Sequence, residues 1–181
     1  MESIREATER AAAILEENNY TALSTADEKG PWAAVVAYAA AAPNFLYFVS
    51  QRDSRHAKAV AQAPAVSGVI YNSSTEPDDA DSIQFSGTCA EIDDERLLRL
   101  FLERTAHLSA DSVDVELAAF REYKGLSLYG IAVREAYVLD RELWLELGLD
   151  ARKEVRVKEL FATIEENLVN RTTGLRNVGG N

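Results

Sequence analysis

The chain has 181 residues, of which 47% are hydrophobic and 27% charged, a composition typical of one folded domain and unlike that of a disordered chain. Its 19 basic and 30 acidic residues give a net charge of −11, which argues against nucleic acid or an anionic membrane as the partner. A single cysteine excludes an internal disulfide, and no apolar run approaches the roughly 18 residues that span a bilayer. We therefore expect a cytoplasmic protein.

The first fifty residues predict one helix followed by strands. An amphipathic helix is predicted over residues 2–17, and a short strand over Tyr20–Ala26. Asp27–Pro31 has the composition of a turn. The next two β-rich segments, Trp32–Ala41 and Phe45–Ser50, are separated by three residues and predict a hairpin.

The middle of the chain alternates again between helix and strand. A short helix is predicted over residues 54–62, with Ser54 as its N-cap, followed by the strand Ala65–Tyr71. Asn72–Asp81 is an acidic loop to which the sequence assigns no role. Ile83–Ile92 alternates apolar and polar residues as a half-buried strand does.

The second half of the chain predicts two helices, a long strand and a C-terminal helix. Asp93 or Asp94 caps the first helix, and the second covers about 112–122. Leu126–Leu139 reads as a long strand in which Gly130 marks a bend or bulge, and Leu143–Leu147 as a further short strand. The C-terminal helix is expected over about 150–169, before a polar tail at 171–181.

This order of elements predicts an α+β fold, because turns between the early strands are too short for parallel crossovers. We expect one domain over residues 1–181, with its barrel core at about 20–140. The strands suit a closed or nearly closed antiparallel barrel with flanking helices.

The segment from Phe45 to Lys58 carries the clearest chemical signal. A strand ends at Ser50, and a helix then begins at Ser54 with Arg55 and Lys58 in its first turn. The start of a helix exposes unpaired N–H groups and carries partial positive charge, so it suits a bound phosphate. Basic residues there oppose the helix dipole, and a bound anion would explain them. The alternative is a solvated helix start in which Ser54 only caps.

An ordered set of motifs resembles the pyridoxamine-5′-phosphate-oxidase-like split-barrel superfamily. The motifs are Ala22-Leu23-Ser24-Thr25, Asp27-Glu28-Lys29-Gly30-Pro31, Leu46-Tyr47-Phe48-Val49-Ser50, Ser54-Arg55-His56, Ala63-Pro64-Ala65-Val66 and the strand Ile83–Ile92. Each motif alone is common, whereas their order over some 70 residues is characteristic.

The resemblance implies a six-stranded antiparallel split barrel and a homodimer with a cofactor at the subunit interface. The implied cofactor is FMN, with deazaflavin, heme or no cofactor as alternatives. The implied cofactor-binding residues are Ser50, Ser54, Arg55, Lys58, His56, Val49, Trp32 and Val35.

The sequence departs from the family in three places. The second strand, Trp32–Ala39, lacks the Arg and Lys that the oxidase carries there, and His56 stands where the family often has Lys. The C-terminal arginine motif that holds the vitamin-B6 substrate is absent from Arg152–Asn181. We therefore do not expect vitamin-B6 oxidation.

Two functions stay open at this point. One is an FMN-dependent oxidoreductase acting on a small organic molecule, whose catalytic residues the sequence does not identify. The other is a flavin or heme carrier or sensor, or a dimeric scaffold that binds a ligand without flavin. The two histidines, His56 and His107, form no metal motif, so no metal is expected.

Overall fold

The computed structural model describes residues 2–76, 81–123 and 125–177. Six α-helices lie in these ranges: α1 (Ile4–Glu17), α2 (Arg55–Gln62), α3 (Glu95–Thr105), α4 (Val113–Glu122), α5 (Arg141–Leu147) and α6 (Val157–Asn177). Eight strands accompany them: β1 (Tyr20–Asp27), β2 (Gly30–Ala37), β3 (Ala39–Ala41), β4 (Phe45–Gln51), β5 (Ala65–Tyr71), β6 (Ser82–Ile92), β7 (Leu126–Leu139) and β8 (Arg152–Glu154). Part of the predicted acidic loop, residues 77–80, lies outside the described residues.

The strands form one curled antiparallel sheet in the order β2-β1-β5-β6-β7-β4-β3, and β8 pairs with the end of β7. The edge strands β2 and β3 are consecutive in the chain, with only Tyr38 between them. The sheet must therefore curl until its two edges meet, as in a split barrel. The α+β antiparallel fold is confirmed.

The expected number of six strands is wrong, because two short strands join the six long ones. Tyr38 turns into the core, where it is 6% exposed, and breaks the predicted strand Trp32–Ala41 into β2 and β3. The first part pairs with β1, and only the three residues of β3 form the predicted hairpin with β4. The other added strand, β8, occupies residues predicted as helix, so the C-terminal helix begins at Val157.

Two hydrophobic cores lie on opposite faces of the sheet. The larger fills the barrel and extends under α1, α2 and α6, and the smaller lies between α3, α4 and the outer face of β3, β4 and β7. Along β4, Leu46 and Phe48 point into the first core, whereas Tyr47 and Val49 pack against the second. Burial on both faces explains why this strand reads as one continuous apolar run.

Two local predictions near β7 are also wrong. Leu143–Leu147 belongs to the helix α5, because the Asp140 side chain caps its start and Gly148 ends it with φ 63°. Gly130 makes no bulge: a Cβ there would lie 2.5 Å from Ile92 Cδ1, so the glycine gives room to that side chain. The register shift in β7 occurs instead at Arg134, which is skipped opposite the Ser86–Gly87 step of β6.

Candidate functional site

The start of α2 is placed by the end of β4. Ser54 has extended backbone angles and its Oγ accepts a hydrogen bond from the backbone N–H of Ala57, so it is the predicted N-cap. The connection is short and fixed, because the Ser54 N–H donates to the Gln51 carbonyl and the Arg52 N–H to the Gly125 carbonyl. The first turn of α2 therefore lies directly beside the end of β4.

Three polar side chains meet at this point. His56 Nε2 lies 2.7 Å from Ser50 Oγ and 3.2 Å from Ser54 Oγ, and the two hydroxyl oxygens are 3.4 Å apart. We call these three residues the hydroxyl–imidazole cluster. Burial lowers the pKa of His56, so its imidazole is neutral at pH 7 and can accept as well as donate a proton.

A second polar group borders the cluster on the neighbouring strand. Ser127 of β7 pairs in register with Ser50, and its hydroxyl donates to Glu91 Oε1 at 2.6 Å. Arg52 Nε donates to the same carboxylate oxygen at 2.9 Å. Burial, and then the Glu91 charge, raise the pKa of Tyr129. The nearest positive charge on this side is thus already paired with a carboxylate.

Arg55 points away from the hydroxyl–imidazole cluster, toward the β1–β2 turn. Its Nε and Nη2 donate to the two Asp27 oxygens at 2.8 and 2.9 Å, a bidentate ion pair. The guanidinium carbon also lies 4.5 Å from the ring centre of Trp32. Hydrogen bonding from Arg55 lowers the pKa of Asp27 to about 2. Asp27 and Trp32 together therefore fix the orientation of Arg55.

Lys58 shares a separate surface with Arg55. Both line a cavity of about 330 Å³ that also holds Lys29, Asp27 and Asp53. The Lys58 side chain is exposed. The four predicted phosphate ligands therefore form two groups, with Ser50 and Ser54 beside His56, and Arg55 and Lys58 on the next face of α2.

The other three predicted site residues lie on different surfaces of the chain. Val49 packs against the second core, Trp32 covers Arg55, and Val35 is 73% exposed on the outer face of β2. Within one chain the structure does not bring them to the hydroxyl–imidazole cluster.

The sequence analysis did not identify a row of outward-facing residues that crosses five strands of the sheet. Five residues on five neighbouring strands stand in register: Val35, Ala22, Val69, Gln84 and Tyr137. We call these the outer-face row; none of the five side chains carries a charge. The alternation of buried and exposed residues along each strand was a signal for this face, but only the register aligns the residues of different strands.

Two other kinds of site are absent from the described residues. There, no three His, Cys, Asp or Glu side chains are grouped so that they could hold a metal ion. No helix of the described ranges is long and apolar enough to cross a membrane.

Comparison of the chain with known protein families gives one match. Residues 7–140 match the family model described as pyridoxamine 5'-phosphate oxidase. No curated protein matches the chain.

Several solved structures share the fold. The heme binding protein of Mycobacterium smegmatis has a TM-score of 0.62 and 17% identity, over 90% of this chain and 61% of that one. General Stress Protein 26 of Bacillus anthracis has a TM-score of 0.58 and 17% identity, over 82% of this chain and 98% of that protein. The heme storage protein HutZ of Vibrio cholerae has a TM-score of 0.55 and 14% identity, over 70% of this chain and 89% of that protein. At these identities the likeness concerns the fold alone.

Proposed function

Because this chain belongs to the pyridoxamine 5'-phosphate oxidase family, we propose that it binds FMN and acts as a flavin-dependent oxidoreductase on a small organic molecule. The phosphate group is assigned to the start of α2. The observation that carries this assignment is the meeting of Ser50 Oγ, Ser54 Oγ and His56 Nε2 within 3.4 Å of one another at a helix N-terminus.

The proposed phosphate site has enough hydrogen-bond donors. The two hydroxyls lie at the start of α2, where the first N–H groups of a helix lack intrahelical partners; of these, the Ala57 N–H already donates to Ser54 Oγ. A phosphate dianion there would favour protonation of His56, against the effect of burial, and so turn the imidazole into a further donor. The cluster can thus gain positive charge when the anion arrives.

Arg55 supports this assignment as an orienting charge. Its donors face Asp27 rather than the hydroxyl–imidazole cluster, so Arg55 would act on the phosphate through its charge and not through a direct hydrogen bond. Lys58 lies one helical turn further along α2 and adds a point charge at the edge of the site. Asp27, the ion-pair partner of Arg55, reduces the contribution of that charge without removing it.

FMN, when bound, would supply the electron or hydride transfer itself. This chain's own residues would hold and orient it: the hydroxyl–imidazole cluster at the phosphate, and Trp32 and Val35 beside the ring. No side chain of the chain need act as acid or base for this chemistry.

A second copy of the chain would complete the site. We propose a homodimer in which the outer-face row packs against the partner, with the cofactor at the interface. Val35 is 73% exposed and continues the uncharged outer-face row, and a contiguous exposed apolar surface often marks an interaction site. Such a dimer could also bring Val35 and Trp32 of one copy toward the cluster of the other.

One observation favours a second function. The Asp27 carboxylate holds Arg55, and β2 carries no cation, so a phosphate would find little uncompensated positive charge. That arrangement suits a flavin or heme carrier or sensor, or a ligand-binding scaffold without flavin. Two proteins with this fold are named for heme binding and heme storage.

The test is an absorbance spectrum of the purified protein, followed by titration with FMN and with riboflavin. We expect FMN to bind at least about tenfold more tightly than riboflavin, since only FMN carries the phosphate. Ser50→Ala should weaken FMN by roughly 10- to 100-fold, the range for a charged hydrogen bond, and leave riboflavin unchanged. Arg55→Ala should weaken FMN by a smaller factor, because this guanidinium points toward Asp27 and acts on the phosphate only as a nearby charge. Ser73→Ala, an exposed serine, is the matched control.

Two results would refute parts of the proposal. Colourless protein that takes up neither flavin would exclude FMN as the cofactor, and equal binding of FMN and riboflavin would exclude the phosphate site. For protein that does bind FMN, anaerobic addition of NADPH separates the two functions. Bleaching supports the oxidoreductase, whereas an unchanged flavin spectrum supports the carrier or sensor.

A further inference from the structure

A cavity of about 430 Å³ lies at the far end of the sheet from the hydroxyl–imidazole cluster. Its floor is the outer face of the sheet at Val69, Tyr71 and Leu139, and Trp144 of α5 forms one wall. The cluster lies beside Ser127 at the other end of β7. At about 3.3 Å per residue, the two places are roughly 40 Å apart along that strand. We call this space the α5 cavity.

Two of the four apolar residues that line the α5 cavity, Tyr71 and Trp144, are aromatic and remain exposed to water. Trp144 is 42% and Tyr71 52% exposed, although both line the concave surface. Large aromatic side chains gain the most from burial, at about 25 cal/mol per Å² of apolar surface. A flat apolar molecule placed between the sheet floor and Trp144 would cover both rings. The volume falls within the roughly 300–1,000 Å³ typical of small-molecule sites.

The charged groups around the cavity are already paired. Asp81 accepts from Arg10 and lies 3.5 Å from Arg141, and Arg152 donates to Asp150. An added charge would therefore meet no free counter-ion among the described lining residues and would lose its hydration. The Trp144 indole N–H, by contrast, donates no hydrogen bond to any described residue. A ligand that offers an acceptor can take this donor.

We propose that the α5 cavity is a second binding site, for an uncharged planar aromatic molecule that carries a hydrogen-bond acceptor. The site does not depend on FMN binding at α2. Its floor residue Val69 also belongs to the outer-face row, so in the proposed dimer the partner would border the cavity on that side. It rests on the two exposed aromatic rings, the free indole N–H and the paired charges described above.

The experiment uses the two tryptophans as reporters. Because the chain has only Trp32 and Trp144, a Trp32→Phe variant assigns the remaining indole N–H signal in a ¹H–¹⁵N spectrum to Trp144. Three probes with one ring system are titrated: 2-naphthol, 2-naphthoate and 2-naphthylmethylammonium. We expect 2-naphthol to shift the Trp144 signal and to bind at least about tenfold more tightly than either charged probe.

Variants on one helix separate the site from the fold. Trp144→Ala should weaken 2-naphthol by at least about tenfold, and Leu147→Ala, a 63% exposed residue of the same helix, should leave its affinity unchanged. An unmoved Trp144 signal, equal binding of the charged probes, or full affinity in Trp144→Ala would each overturn the proposal. Displacement of 2-naphthol by FMN would also overturn it, because the cavity would then be part of the flavin site of a dimer.

Discussion

Removing the hydroxyl of Tyr38 should destabilise the protein at the point where its two sheet edges meet. Tyr38 is 6% exposed, and its hydroxyl donates to the Leu15 carbonyl at 2.8 Å. That carbonyl lies in the last turn of α1, where backbone acceptors lack helical partners. Tyr38→Phe leaves it unpaired and buried, which costs about 1–3 kcal/mol of unfolding free energy.

The cost can be measured by urea unfolding and by thermal melting. For a chain of this size, about 2 kcal/mol corresponds to a fall in Tm of roughly 4–8 °C. Tyr20→Phe is the matched control, because Tyr20 is 53% exposed and should change Tm by less than about 1 °C. A Tyr38→Phe variant within about 0.5 kcal/mol of wild type would refute the view that this hydroxyl ties the helix to the barrel.

Three further variants test other parts of the structure. Gly87→Ala places a Cβ 2.4 Å from the backbone oxygen of Ala132, so urea unfolding should show a loss of about 2 kcal/mol or more; a neutral result would mean that the strands approach less closely. The hydrogen bonds from Arg55 lower the pKa of Asp27 from its ordinary value of 3.8 to about 2, so the contribution of this carboxylate to stability is fully present above pH 3.8 and is lost as the pH falls through about 2. Asp27→Asn should therefore be less stable than wild type at pH 5, and its stability should fall less between pH 4 and pH 2 when unfolding is followed by circular dichroism. An equal fall in stability over this pH range would exclude the Asp27–Arg55 ion pair as a stabilising contact. The pKa of His56 is lowered by burial, so the unfolded chain binds its proton first and stability falls as pH drops below about 6.5. The free energy of unfolding should differ less between pH 7.5 and pH 5 for His56→Gln than for wild type. An equal difference would contradict the burial of this imidazole ring.

The elements with strong local signals could be predicted from the sequence. Ser54 caps α2, and the strands Ala65–Tyr71 and Leu126–Leu139 occur with the predicted bounds. Asp94 rather than Asp93 caps α3. In each case a cap or an apolar period within a few residues determines the element, so no distant contact is needed to predict it.

The parts that depend on distant residues could not be predicted. The ion pair of Arg55 is one case, because its partner Asp27 lies 28 positions earlier and meets it only because β1 ends beside α2. The break at Tyr38 likewise depends on the Leu15 carbonyl of another element. Leu143–Leu147 alternates as a strand does, yet the caps at both ends favour a helix. Contacts between distant residues, strand register and helix caps determine these features, and the alternation of apolar and polar residues alone does not show them.

The consecutive placement of the two edge strands also determines how the barrel opens. β2 and β3 each pair with only one neighbour, whereas β6 and β7 lie at the centre of the sheet. Fluctuations should therefore separate the barrel wall on either side of Tyr38, with β6 and β7 as the hinge. In amide hydrogen exchange, β2 and β3 should lose protection first and β6 and β7 last. A cofactor or partner that spans the Tyr38 junction would slow exchange at both edges together, so such an experiment reports binding as well as stability.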